Sequence, residues 1–188
     1  MRNDIIEDLK KEVYIRANKE SNKFGIGVYY HIEAVVKNAI TLSDKYGADK
    51  EVTIIAAWLH DIASITDYAL YEEHHKYGAI IAEELLKKYD YDKIELVKKC
   101  IINHRGSVVK EKMSLEEQII ADADAISHFD NIPSLLYLAY VKKNMGINEG
   151  KDFVRNKLER SYNKLSKRSK EFYKDKYKNV MENLLWWN

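Results

Sequence analysis

Apolar residues recur at three- and four-residue spacing along almost the whole of this chain, and little interrupts them: it has one proline and seven glycines in 188 residues. Strictly alternating runs, the mark of half-buried strands, are missing. The pattern therefore dictates an all-α protein. Helices are expected at about 3–20, 30–46, 51–62, 71–89, 92–103, 115–128, 132–144, 149–165 and 169–186. Gly47 is a natural stop for the second helix, and Ser114 followed by Glu117 reads as a capping box opening the sixth. At 46% apolar content the chain can bury a sizeable core. With no repeat, low-complexity tract or Pro/Ser-rich linker, one compact helical bundle over residues 1–188 is expected.

Charge narrows the function classes. Thirty-one basic residues against 30 acidic ones leave a formal +1, so there is no global basic field to drive nucleic-acid binding. The lone cysteine, Cys100, has no partner for an internal disulfide. No apolar run is long enough to span a bilayer and no leader-like segment opens the chain, so a cytoplasmic protein is expected. From Asn144 onward Lys and Arg are dense around an apolar stripe of Phe153, Leu158, Tyr162, Leu165, Phe172, Tyr173, Tyr177, Val180 and Leu184. That spacing suits an amphipathic helical hairpin covering the core, its charges forming the wet face. Trp186 and Trp187 are expected to pack back onto the body or onto a second copy, and a homodimer is a reasonable state.

One tripeptide departs from the packing pattern. Leu59-His60-Asp61 closes the apolar run from Val52, setting an imidazole and a carboxylate side by side at the end of a buried helix. Burying two ionisable neighbours is costly unless something compensates their desolvation, and a shared metal ion does so. Other ligand types follow in order along the chain. His31 lies upstream on a helical pattern, and His74 or His75, then His104, then Asp122 and Asp124 lie downstream. Nitrogen and carboxylate oxygen without cysteine argue against a structural thiolate zinc site and for an open catalytic one.

The order His, His-Asp, His, His, Asp resembles the HD superfamily of metal-dependent phosphohydrolases over about residues 25–130, with the later helices packing on that core. Ala123-Asp124-Ala125-Ile126 matches the family's closing Ala-Asp-x-(Leu or Ile), which selects Asp124 over Asp122. His74, four residues before Gly78-Ala79, resembles the His-x3-(Gly/Ser)-Ala block, and His104 the block after it. The resemblance implies an HD-type bundle in which His31, His60, Asp61 and Asp124 hold a divalent ion: Mn, Fe, Co, Ni or Zn, or Mg. His74 and His104 would bind a second ion or the substrate phosphate. His75 reads as a solvated neighbour and His128 as a pocket-lining group or a cap.

The chemistry implied is attack of a metal-activated water on the phosphorus of a nucleotide or another small phosphorylated metabolite. Arg105 and Lys76 are candidates for neutralising the phosphate, although an exposed charge beside a ligand is the plainer reading of Lys76. Asp61 could hold the water through its free oxygen, and Asp122 or Glu33 could accept its proton. Two rival functions share the ligand order: an oxygenase with a di-iron centre, and a regulatory module that binds nucleotide or metal without turnover.

Overall fold

The computed structural model describes residues 1–105 and 111–185, with side chains as far as 183. All regular structure among them is helical. In chain order these are α1 (Asn3–Ala17), α2 (Gly27–Tyr46), α3 (Lys50–Leu59), α4 (Ile62–Thr66), a 3-10 turn (Tyr68–Glu73) and α5 (His74–Lys87). Then follow α6 (Ile94–Asn103), α7 (Leu115–Asp130), α8 (Ile132–Leu136) running into a π-helical stretch (Tyr137–Lys142), α9 (Ile147–Lys164) and α10 (Lys167–Leu185).

The bundle is organised around α3. Every residue from Val52 to Leu59 is buried, because α1, α2, α6 and α7 all pack against this helix. A helix apolar on all sides has no stable place except the centre. Each fully buried Ile or Leu there contributes about 1.5–3 kcal/mol of transfer free energy. Asp49 starts α3 by accepting from the backbone N–H groups of Glu51 and Val52, at 3.1 and 3.2 Å. Gly47 ends α2 in the left-handed region, φ +78°, where a side chain would be strained. Ser114 accepts from the Glu117 N–H at 3.2 Å, as a capping box requires. Glu117 does not complete the box; its carboxylate instead holds Asn103 and the Met113 N–H.

Three helices differ from their sequence expectation. The one expected over 51–62 ends at Leu59, because the His60 ring takes the Ala57 carbonyl at 2.8 Å and the chain re-enters helix only at Ile62. The one expected from 71 begins as a 3-10 turn, opened by Asp67 accepting from the Ala69 N–H at 2.9 Å. The one expected over 132–144 starts at a proline-bearing first turn and widens into π-helix after five residues.

In the C-terminal part α9 and α10 pack on α7. Leu158, Leu165 and Tyr173 of the expected stripe are buried, joined by Val154, while Phe172 is 51% exposed with the Lys45 ammonium 3.9 Å from its ring centre. The Leu184 side chain, Trp186 and Trp187 lie outside the described residues. No helix among the described residues is long and apolar enough to cross a membrane.

Candidate metal centre

Three of the histidines occupy equivalent places in three different elements. His60 ends α3 and His104 ends α6, and His74 stands where the 3-10 turn passes into α5. Each ring turns back to the carbonyl three residues earlier: His60 Nδ1 to Ala57 at 2.8 Å, His74 Nδ1 to Tyr71 at 2.7 Å and His104 Nδ1 to Ile101 at 2.6 Å. A carbonyl only accepts, so each Nδ1 carries a proton, and a ring in its neutral form presents a bare lone pair at Nε2. His31, in the second turn of α2, is held by the Ser127 hydroxyl at 2.9 Å from its Nδ1. The negative ends of α3 and α6 also point at this region, an environment that suits a cation.

The Nε2 atoms and two carboxylates converge in two groups. His31, His60 and Asp124 form one, and Asp61, His74 and His104 form the other, with potential ligand atoms within 4.8 Å of one another in each. Asp61 joins them: its Oδ2 lies 3.5 Å from His60 Nε2 and 3.8 Å from His31 Nε2, and its Oδ1 lies 3.4 Å from His74 Nε2. Asp124 Oδ1 is 3.3 Å from His31 Nε2.

The second group shows why a cation fits. His74 Nε2 and His104 Nε2 face each other at 3.2 Å, and with both Nδ1 protons committed to carbonyls these are two lone pairs in opposition beside a carboxylate oxygen. His60 Nε2 is fully buried with no hydrogen-bond partner. Lone pairs crowded in this way are stable around a positive charge and repulsive without one. The same field moves the groups' proton affinities. Burial disfavours charge on His60, but Asp61 and Asp124 outweigh it and push the ring up to about 9, so a proton on Nε2 supplies the positive charge that a metal ion would otherwise bring. Burial and the nearby His60 drive His104 down to about 3. Asp61 and Asp124 are held well below the usual carboxylate range despite their burial, the first chiefly by His60 and the second chiefly by His31.

The structure thus brings together His31, His60, Asp61, His74, His104 and Asp124, and separates several other residues from them. Asp122 points the other way along α7 and is saturated by Ser166 N–H at 2.8 Å, Ser166 Oγ at 2.5 Å, Ser169 Oγ at 2.7 Å and Gln118 at 3.1 Å. It caps α10 and has no part in the cluster. Glu33 lies two residues from His31 on α2, accepts from the Tyr29 hydroxyl at 3.0 Å and does not reach the site. Lys76 pairs with Glu73 at 2.6 Å on the surface. Arg105 donates to the Glu72 carbonyl at 2.6 Å, at the rim. His75 is not solvated: it is 5% exposed, with a buried and unpartnered Nδ1.

A cavity of about 270 Å³ opens onto the cluster, walled by His31 and Asp61 together with groups from distant parts of the chain. His128 lines it, stacked on His31 with ring centres 4.9 Å apart. Ser161 Oγ donates to the Lys157 carbonyl, so the His128 ring donates to it from Nδ1, at 3.2 Å. Burial and the cation of Lys157 keep His128 neutral. Phe24, Tyr68 and Tyr71 form an aromatic wall with ring centres 5.3–5.6 Å apart. Lys143, Lys157 and Arg160 supply a basic wall. The sequence reading missed both walls. Their only local trace is that Lys157, Ser161 and Lys164 fall on one helical face.

The model of the HD domain matches residues 28–128 of this chain. An uncharacterized protein of Clostridium beijerinckii is 27% identical over 132 residues, which cover 66% of this chain and 82% of that protein. Ribonuclease Y of Lactobacillus helveticus is 30% identical over 109 residues, which are 58% of this chain but only 19% of the ribonuclease. Among solved structures, an HD-superfamily hydrolase of Bacillus thuringiensis aligns with a TM-score of 0.67 at 18% identity, covering 98% of this chain and 95% of the other. A predicted HD-superfamily hydrolase of an uncultured Thermotogales bacterium aligns at 0.64 with 21% identity, covering 97% and 88%. These two likenesses establish the fold.

Proposed function

Because this chain belongs to the HD-domain family, we propose that it is a metal-dependent phosphohydrolase acting on a nucleotide or another small phosphorylated metabolite. The observation that carries the reading is the pair of opposed His74 and His104 lone pairs beside Asp61. His31, His60 and Asp124 would hold one divalent transition ion and His74 and His104 a second, with Asp61 between them. Such a pair of ions supplies Lewis acidity toward a phosphoryl oxygen and water of lowered pKa.

The chain's own groups do the rest. Backbone carbonyls and Ser127 fix the orientation of the four rings, so none must reorganise when charge develops nearby. The side of His128 not held by Ser161 is free to accept a hydrogen bond from substrate or water in the cavity. Ribonuclease Y is named for cleaving RNA; the likeness to part of it supports counting phosphodiesters as well as monoesters among the bonds to be tested.

The test is elemental analysis of the purified protein, followed by phosphate-release assays over nucleotides and sugar phosphates with Mn, Co, Ni and Mg, in wild type and Asp61→Ala. About two metal ions per chain and phosphate release lost with Asp61 are expected. Bound iron with oxygen-dependent turnover and no phosphate release would replace this reading with an oxygenase, and metal without any turnover would leave a binding module.

A further inference from the structure

Beyond the metal cluster, the cavity is lined by cations that no carboxylate answers. Several lysines elsewhere have a carboxylate partner: Lys50 with Asp44, Lys87 and Lys98 with Glu83, Lys93 with Asp49, Lys176 with Asp130. Lys157, Arg160 and Lys164, on successive turns of α9, form no ion pair among the described residues. Burial is the chief reason that the Lys164 ammonium is lowered, against the pull of Asp124, and repulsion from Lys157, Arg160 and Arg105 adds to it. Like charges gathered at a cavity mouth destabilise the empty protein and stabilise a bound anion.

The charge balance says how much anion. With two divalent ions, as proposed above, Asp61 and Asp124 leave a residual +2, which one phosphate dianion neutralises. Lys143, Lys157 and Arg160 of the lining then remain over. The lining also has an aromatic part, with Tyr68 and Tyr71 parallel within 4° and 44% and 40% exposed. Such faces stack a nucleobase of any kind. Ser64, also in the lining, is 3% exposed and its hydroxyl has no partner in the protein. A cavity of this size suits a small molecule and not a strand.

We propose that the substrate is a small nucleotide carrying a second phosphate besides the one presented to Asp61, held by Lys157 and Arg160 of α9 with its base on the Phe24, Tyr68 and Tyr71 wall. This rests on the phosphohydrolase reading for the place of the first phosphate.

The experiment compares adenosine 5′-monophosphate with adenosine 5′-diphosphate and adenosine 3′,5′-bisphosphate on the manganese-loaded full chain. The expected result is kcat/KM higher by about tenfold or more for at least one doubly phosphorylated nucleotide, a preference that Lys157→Ala and Arg160→Ala each reduce to near unity through KM. Arg160 is exposed, so its variant folds. A wild type indifferent to the second phosphate, or a preference that survives both variants, overturns the proposal. If no substrate releases phosphate, calorimetric binding of the same three nucleotides decides the subsite alone. Tighter binding of a doubly phosphorylated nucleotide, lost in Arg160→Ala, would keep the subsite while the hydrolase reading fell; equal binding of all three would remove it. A 5′-phosphorylated RNA hexamer that outcompetes all three would transfer the cationic wall to a strand and also overturn the proposal.

Discussion

Ser127 meets His31 as a hydrogen-bond acceptor. Its one hydroxyl proton goes to the Asp124 carbonyl at 2.6 Å, so the 2.9 Å contact with His31 Nδ1 requires the proton to be on the ring. A residue of α7 thereby fixes the tautomer of a residue on α2, so that the neutral His31 ring turns a bare Nε2 toward Asp124. Ser127→Ala should weaken metal binding by about 10–100-fold, measured by competition with a chromophoric chelator. An unchanged affinity would mean that packing alone holds the ring.

Asp122 has the opposite character. Four donors from α7 and the start of α10 converge on its buried carboxylate, so its work is to dock the last helix. Asp122→Ala should cost about 3 kcal/mol in urea unfolding while metal stoichiometry stays as in wild type. Loss of metal at full stability would return it to the site.

Cys100 is fully buried on α6, and burial pushes its thiol well above the ordinary value. A thiol that stays protonated and out of reach does not react. The native protein should give no colour with Ellman's reagent and about one thiol per chain in denaturant. Rapid native labelling would show that α6 opens readily.

At the surface, Lys87 and Lys98 hold the Glu83 carboxyl down to about 2, from an ordinary 4.5, and so tie α5 to α6. A carboxyl depressed in the folded state adds stability above its unfolded value and loses it as pH falls through the folded value. The window here runs from 4.5 down to about 2. Glu83→Gln should therefore be less stable than wild type at neutral pH, by a small margin for a solvated pair, and equal to it near the acid end. A stability gap that persists at about pH 2 would point to packing of the Glu83 stem.

Much of this was legible in the residues alone, for reasons that also mark where legibility ends. The helical spacing of Val52 to Leu59 announces a central helix because only a core position tolerates apolar groups on every side. The His60-Asp61 pair was visible because it interrupts that run. The break of α3 was not, since it depends on the His60 ring taking a carbonyl, which periodicity cannot reveal. Asp122 and Asp124 look alike in sequence, and resemblance chose between them; the reason lies in the serines of a helix more than 40 residues away. Lys157 and Arg160 were read with the wet face of a basic hairpin, because a lysine facing solvent and one facing a cavity share the same helical spacing.

The carbonyl-anchored histidines carry an evolutionary consequence. His60 and His104 each finish a helix by occupying a carbonyl in its last turn, and His74 does the same where the 3-10 turn passes into α5, so each candidate ligand also shapes a helix end. A lineage that abandoned the chemistry could discard Asp124 at little architectural loss. Shedding one of these rings would leave a helix end to be mended, so decay of function along this fold should begin at the aspartates.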